Sequence, residues 1–279
     1  MEKIGIIAGE GKPPIHVAQG ARSQGIHVTI VGIEGITWPD IEQYADAMHW
    51  IKLGKFSSVI QICKKEGVRH VAMIGRIKQK ISLNPFNYDL RSIVLMMKLP
   101  DFKPKTIFYA IEQELAKEGI QVIDTRPYLK DFIPPAGLLT PSRPLTSDEE
   151  DAIRFGYPIA KWIADADIGQ SIAIDRRKAV IAVEAMEGTN AAIERVGELG
   201  IADSIIVKVS RTHQDFRFDI PVIGLTTLKK MHAVQASLLA ITAGELLFFQ
   251  KEESIAFAER YGIGIVAVQE GANASILSI

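Results

Sequence analysis

Ile4-Gly5-Ile6-Ile7-Ala8-Gly9-Glu10-Gly11-Lys12-Pro13-Pro14 opens the chain, and its reading decides the fold class. Ile4–Ala8 is a short apolar, β-rich run of the length of a buried strand. Gly9 and Gly11 then make a turn, and the two prolines suit a first helical turn, where an amide hydrogen is not needed. Ile15–Ser23 reads as that helix, ended by Gly25, and His27–Val31 as a second strand. Further out the alternation repeats. Phe56–Lys65 is helical, Arg69–Ile74 a strand, Leu90–Lys98 and Thr106–Lys117 helices, and Ile120–Ile123 a strand. Strands alternating with helices of this length predict βαβ units in a parallel sheet, so residues 1–132 are expected to form a Rossmann-like α/β domain.

The grammar changes at Ile133–Ser147, which carries Pro134, Pro135, Gly137, Pro141 and Pro144. Proline removes backbone donors and blocks helix, so residues 133–147 read as a linker or an irregular crossing. Residues 148–279 predict a second α/β domain with a mixed sheet. Ser147-Asp148-Glu149-Glu150 starts a helix that runs to about Ala164. Strands Ser171–Ile174 and Ala179–Val183 form a hairpin, followed by a helix over Ala191–Leu199 and strands at Ser204–Val209 and Val222–Ile223. A helix over Lys229–Ala240, strand Leu246–Phe249, helix Glu252–Tyr261 and strand Ile263–Val268 complete it, with the last ten residues as a tail.

Composition narrows the function. Of 279 residues, 47% are hydrophobic and 23% charged, which supports a packed core. Lys and Arg number 32 against 33 Asp and Glu, without the basic excess of a general nucleic-acid binder. Cys63 is the single cysteine, so neither an internal disulfide framework nor a cysteine zinc cluster can form. Glu2 and Lys3 lead directly into the first strand without a signal-peptide pattern, and no run of about 20 uninterrupted apolar residues occurs. The expectation is a cytoplasmic protein. There is no Walker A loop, nucleophile elbow or H-E-x-x-H.

Five motifs carry candidate chemistry. Gly9, Gly11 and Pro14 belong to a turn able to bring backbone amides to a phosphate, although Pro14 stands where a dinucleotide fingerprint has its third glycine. Glu34, at the end of the second strand, keeps an NAD(P)-linked oxidoreductase open as an alternative. Gly75-Arg76-Ile77-Lys78-Gln79-Lys80 sets cations at a strand's carboxyl end, as diphosphate contacts or a solvated loop. Asp167-Ile168-Gly169-Gln170 precedes a strand. Glu184-Ala185-Met186-Glu187-Gly188-Thr189-Asn190 puts two carboxylates before a helix start, an arrangement suited to an anion and to Mg²⁺ bridging phosphate oxygens. The densest run is Lys208-Val209-Ser210-Arg211-Thr212-His213-Gln214-Asp215-Phe216-Arg217-Phe218-Asp219. Asp215 and Asp219 are candidate metal ligands or bases, and Lys208, Arg211 and Arg217 candidate neutralisers of phosphate charge, against a plain network of ion pairs.

Taken in order, these blocks resemble the LpxI-type UDP-2,3-diacylglucosamine pyrophosphohydrolases of lipid A biosynthesis. The resemblance is carried by Ala8 to Pro14, Gly75-Arg76, Asp167–Gln170, Ala182–Thr189 and Gln214–Gly224, and covers nearly the whole chain. It implies two α/β domains and Mg²⁺-dependent hydrolysis of UDP-2,3-diacylglucosamine to 2,3-diacylglucosamine 1-phosphate (lipid X) and UMP, with water attacking the phosphorus nearer the sugar. It makes Asp219 the key acid, as metal ligand or activator of the water. On this footing the expected catalytic residues are Asp219, Asp215 and Lys208, and the expected metal ligands Asp219 and Glu184. The expected substrate contacts are Gly9, Gly11, Pro14, Arg76, Gln170, Glu187, Gly188, Thr189, Gln214 and Arg217. The implied partners are the acylated UDP-sugar, its lipid product and the inner-membrane surface, which the enzyme would meet peripherally. A homodimer is the expected oligomer. Three departures stand out: Asn190 where the family has Asp, Thr242 where it often has Glu, and Lys78-Gln79-Lys80 in place of an Arg-Pro pair. The first two remove carboxylates, and they motivate a second alternative, a non-catalytic UDP-sugar-binding protein.

Overall fold

The structure, a computed structural model, describes residues 2–77 and 88–270 together with the backbone of residues 277–278. The expected cations Lys78 and Lys80, with Gln79, lie outside the described residues. The chain divides into two compact units. Residues 1–130 and 216–218 form the first, and residues 131–215 and 219–279 the second.

The first unit runs β1 (Lys3–Ala8), α1 (Pro13–Ser23), β2 (His27–Ile33), β3 (Ala47–Ile51), α2 (Phe56–Glu66), β4 (His70–Ile74), α3 (Leu90–Met97), α4 (Pro104–Ala116) and β5 (Gln121–Val122). Its sheet has the order β3-β2-β1-β4-β5, and every pairing is parallel. Gly5 faces Thr29 on one side and Val71 on the other. This is the doubly wound order, whose direction reverses at the carboxyl end of β1, where ligands bind in such sheets. The strand-and-turn reading of the opening segment therefore matches the sheet observed. β3 escaped it. This edge strand is half-buried throughout and follows a 3₁₀ turn, so it lacks the apolar run that marks β1 and β2.

The second unit runs β6 (Gly137–Leu138), α5 (Ser147–Asp165), β7 (Ser171–Ile174), β8 (Val180–Val183), α6 (Thr189–Glu198), β9 (Ile205–Lys208), β10 (Val222–Ile223), α7 (Leu225–Ala233), β11 (Leu238–Thr242), β12 (Leu247–Phe248), α8 (Lys251–Arg260), β13 (Gly264–Glu270) and β14 (Leu277–Ser278). The main sheet is mixed. β9, β11 and β13 are parallel, whereas β7 lies antiparallel to β9, and β8 to β7. Alternate strand residues serve two cores. Ile172, Ile205, Val207, Leu238 and Val266 pack with Ala152, Ile153 and Tyr157 of α5. Ala173, Ile206, Leu239, Ile241 and Ile265 pack with Ile193 of α6, Leu228 and Met231 of α7, and Ala258 of α8. Helices thus cover both faces, the arrangement in which strands lose their polar alternation.

That loss explains a correction. The helix expected over Lys229–Ala240 ends at Ala233; Gln235 takes a left-handed φ of 57°, and Leu238–Thr242 is β11, flanked by β9 and β13. A continuous buried apolar run carries no period by which to tell strand from helix. In residues 133–147, Gly137 and Leu138 pair antiparallel with β13, and Thr140 Oγ1 accepts a bond from the Ile265 amide. α5 is capped by Thr146 and Glu149 in a reciprocal capping box, one residue before the expected cap. At the chain end Leu277–Ser278 pairs with β13 where a tail was expected. Among the described residues no helix is long and apolar enough to cross a membrane.

Candidate active site

The second unit's topology brings five polar residues to one edge. Lys208 is the last residue of β9 and pairs in register with Ser171, the first residue of antiparallel β7. Glu184 follows β8 and donates its amide to the Ser171 carbonyl. Thr189 opens α6, and Gln170 immediately precedes β7. All therefore meet at the carboxyl end of β9.

Lys208 is the centre of this group. It is only 7% exposed. Its Nζ donates to Thr189 Oγ1 at 2.6 Å, and Thr189 donates onward to Glu184 Oε1 at 3.0 Å. Ser171 Oγ approaches the same Thr189 oxygen at 3.4 Å. Glu184 Oε2 accepts the Gln170 amide at 3.3 Å, and Gln170 Nε2 donates to Asp219 Oδ2 at 3.1 Å. Burial pushes the Lys208 ammonium below the ordinary lysine range, while the Glu184 and Asp219 carboxylates pull it back. A buried lysine between two acids is a costly arrangement for packing alone, since an apolar replacement is often as stable.

Asp219 is presented by the loop 209–221. Its amide donates to the Asp215 carbonyl at 3.1 Å, and its own carbonyl accepts Gln214 Nε2 at 2.7 Å. The Gln214 Oε1 acceptor takes the Arg211 amide. Among the described residues Asp219 Oδ1 accepts no hydrogen bond. Arg211 ties the loop to the end of α5 through the Ala164 carbonyl at 3.2 Å and the Asp167 carboxylate. Thr212 binds Asp165 through its amide and hydroxyl, each at 2.7 Å. Gly169 explains the glycine before Gln170: a Cβ there would lie 2.1 Å from the Glu184 carbonyl oxygen.

The other expected site residues divide. Gly188 caps α6 with φ of 82°, a conformation glycine adopts without strain. Glu187 is exposed and turns to the Ala185 amide and to Arg195, at 3.3 Å, rather than to Lys208. Arg217 belongs to the first unit's part of the loop and pairs with Glu112. Gly9, Gly11, Pro14 and Arg76 are also in the first unit. There Glu10 and Arg76 exchange backbone bonds at 2.8 and 3.1 Å, and a Cβ on Gly9 would fall 2.6 Å from the Gly75 carbonyl carbon. Gly9 and Gly75 are thus glycines because two backbones touch. Gly11 has φ of 104°, Pro14 is buried in the first turn of α1, and Arg76 is exposed. Glu34 lines a cleft of about 580 Å³ with Glu10, Trp38 and Trp50.

Below the loop the structure shows a chain of polar contacts that sequence reading missed. Tyr157 OH meets Thr242 Oγ1 at 2.8 Å, the Ser210 amide donates to the same oxygen, and Ser210 Oγ donates to Glu245. Thr242, one of the departures, is therefore a buried support of the loop. The partners lie up to 85 residues apart, so no local spacing announces them. Asn190, another departure, is exposed in the first turn of α6.

The first unit also holds an apolar cavity of about 540 Å³, lined among others by Ile7, Ile33, Leu95, Phe108, Ile111 and Phe218.

A doubly wound sheet and a mixed sheet, with a buried lysine beside two acids at the end of β9, define a two-unit α/β protein. Family comparison makes this specific. The family model described as LpxI N-terminal domain matches residues 3–132, and that described as LpxI C-terminal domain matches residues 135–266. The chain belongs to the LpxI family and is an enzyme. It is 27% identical over 280 residues to the UDP-2,3-diacylglucosamine pyrophosphatase LpxI of Caulobacter vibrioides, covering 96% of this chain and 98% of that one. Among solved structures, isoflavone reductase is similar over 97% of this chain and 80% of its own, at 12% identity and a TM-score of 0.30. Phosphoribosylglycinamide synthetase from Anaerococcus prevotii covers 69% and 34%, at 14% identity and 0.26. Likeness at these scores carries no functional argument.

Proposed function

We propose that this chain hydrolyses the diphosphate of UDP-2,3-diacylglucosamine to 2,3-diacylglucosamine 1-phosphate and UMP. The observation that carries the reading is the Lys208–Glu184–Asp219 group at the carboxyl end of β9, in a chain of the LpxI family. The reaction adds the oxygen of water to the phosphorus nearer the sugar and breaks the bond from that phosphorus to the bridging oxygen, which leaves with UMP. One water proton goes to a base. Asp219 is that base: Gln170 holds Oδ2 and leaves Oδ1 to orient the water and take its proton. Lys208, with Thr189 at the start of α6, offsets negative charge as the leaving oxygen develops.

The donor set fits Mg²⁺. Two carboxylates, Asp219 and Glu184, flank Lys208, and among the described residues no group of three or more His, Cys, Asp or Glu could form a closed protein cage. Mg²⁺ is commonly held by one or two carboxylates and completed by phosphate oxygens and water. Of the two here, Glu184 would hold it, with Asp219 left to the water, and when bound it would neutralise diphosphate charge.

The apolar cavity of the first unit suits an acyl chain, whose transfer from water is worth about 0.8 kcal/mol per methylene. An acylated substrate and product put the enzyme at the cytoplasmic face of the inner membrane, peripherally.

The test is UMP release from UDP-2,3-diacylglucosamine, with Mg²⁺ and with chelator, by the wild type and Asp219→Ala. Mg²⁺-dependent release that the variant lacks is expected. A folded wild type that binds the UDP-sugar and releases no UMP would overturn the reading in favour of a binding protein.

A further inference from the structure

We propose that α3 and the turn after it, residues 90–105, form the surface by which this chain docks on an anionic lipid bilayer. α3 has the sequence Leu-Arg-Ser-Ile-Val-Leu-Met-Met and is apolar nearly all round. A helix of a globular protein needs one apolar stripe, and a second apolar face calls for a second partner. The inner side is accounted for: Leu95, Met96 and Leu99 line the cavity of the first unit. The outer side is Leu90, Val94 and Met97, at i, i+4 and i+7 on one face and 78%, 42% and 81% exposed. Phe102, 57% exposed, follows and also lines the rim of the cavity.

This exposure is held in place rather than frayed. Asp89 accepts bonds from the Ser92 amide at 2.8 Å and the Ser57 amide at 2.6 Å. Ser92 Oγ donates to the Gly54 carbonyl at 2.8 Å. The helix is therefore pinned to α2 and the loop before it while its outer face stays in water.

Charge selects the partner. Residues 90–105 carry Arg91, Lys98, Lys103 and Lys105 against a single acid, Asp101. Arg91 turns inward to Glu114 and Glu118. Asp101 is held by the Lys103 amide and the Thr106 hydroxyl, with Lys103 Nζ at 3.9 Å. Lys98, Lys103 and Lys105 are exposed around the apolar stripe. An apolar face rimmed by lysines is the pattern of an element lying in the interface of an anionic membrane. Eight helical residues are far too few to span it. The same helix faces lipid on one side and the cavity on the other, so an acyl chain leaving the bilayer would pass around it. That last step rests on the function proposed above; the docking does not.

The experiment is flotation of the full chain with vesicles of equal parts phosphatidylcholine and phosphatidylglycerol, and with phosphatidylcholine alone. The wild type is expected to float with the mixed vesicles, less so at high salt, and weakly with the neutral ones. Leu90→Ser with Met97→Ser should reduce the bound fraction at least tenfold, and Lys98→Glu with Lys105→Glu should abolish the salt-sensitive part. None of these side chains lines the cavity or touches the Lys208 group, so melting and UMP release from detergent-dispersed substrate should match the wild type. Equal flotation of wild type and variants would overturn the proposal. So would a wild type that stays in solution, or a Leu90→Ser, Met97→Ser pair that changes only self-association in sedimentation. If flotation fails while dispersed substrate is still cleaved, the docking surface falls and the reaction stands; flotation without cleavage gives the reverse.

Discussion

The two sheets end differently at the carboxyl edges of their strands. In the first unit that edge is closed by backbone: Gly9 lies against Gly75, Glu10 and Arg76 exchange amide bonds, and a largely apolar cavity opens beside them. In the second unit the edge is closed by side chains, with Lys208 buried between Glu184 and Asp219. Free energy is held against folding at only one of these edges. Touching glycines satisfy their own bonds and demand only shape. A buried ammonium between carboxylates is kept at a cost in desolvation, and such a cost is found where charge on a substrate has to be met. On the function proposed above, the second unit carries the chemistry and the first the apolar contacts.

Substitutions at each edge should have separable effects. Lys208→Met should have the largest effect. It strands two carboxylates, so stability should fall by about 3 kcal/mol at neutral pH, and UMP release should fall on the order of 10²-fold or more. Chemical denaturation and steady-state assay check both. The same variant tests the titration. Lys208 has its pKa lowered from 10.5 in the folded chain, so the unfolded chain binds more protons between the two values. Wild-type stability should accordingly gain a contribution as pH rises through that window, and the Met variant should lack it.

Gly9→Ala comes next. Its Cβ has only the Gly75 and Arg76 backbone to meet, at 2.6–2.8 Å, so about 2 kcal/mol of strain is expected. Hydrogen exchange should show the loss in β1 and β4 and leave β9 protected. Ile111→Ala, in the apolar cavity, should raise KM roughly tenfold for a long-chain substrate, with kcat and the KM of a short-chain analogue little changed. A cavity unrelated to acyl chains would show no chain-length dependence. The smallest effect is expected from Tyr157→Phe, which removes one buried bond to Thr242 and should cost about 1 kcal/mol in thermal denaturation.

The same contrast governs what could be read from sequence. The first edge is local: strand, glycine turn and helix lie within twenty residues, and the parallel sheet follows from their repetition. Only β3 was hidden, because a half-buried edge strand lacks a strong pattern. In the second unit the residue types of the site were legible as motifs, since Lys208, Gln170, Glu184, Thr189 and Asp219 stand in dense polar runs. Their meeting was not legible, because it depends on β7 running against β9 and on β8 turning back beside it. Glu187 and Glu184 look equivalent in sequence, yet Glu184 meets Thr189 while Glu187 pairs with Arg195. Thr242 reads as a missing acid and is a buried support for Ser210 and Tyr157. β11 reads in sequence as the end of a helix because a strand covered on both faces shows no alternation.

The claim that the second unit's edge performs the chemistry is tested most directly by Asp219→Asn, which keeps the shape and the Gln170 neighbour and removes the base. Binding of UDP-2,3-diacylglucosamine by calorimetry and single-turnover release of UMP should be measured on the same preparation. Binding within a few fold of wild type is expected, with release slowed by about 10²–10⁴-fold. Release at the wild-type rate would contradict the claim and move the catalytic group away from Lys208 and Asp219.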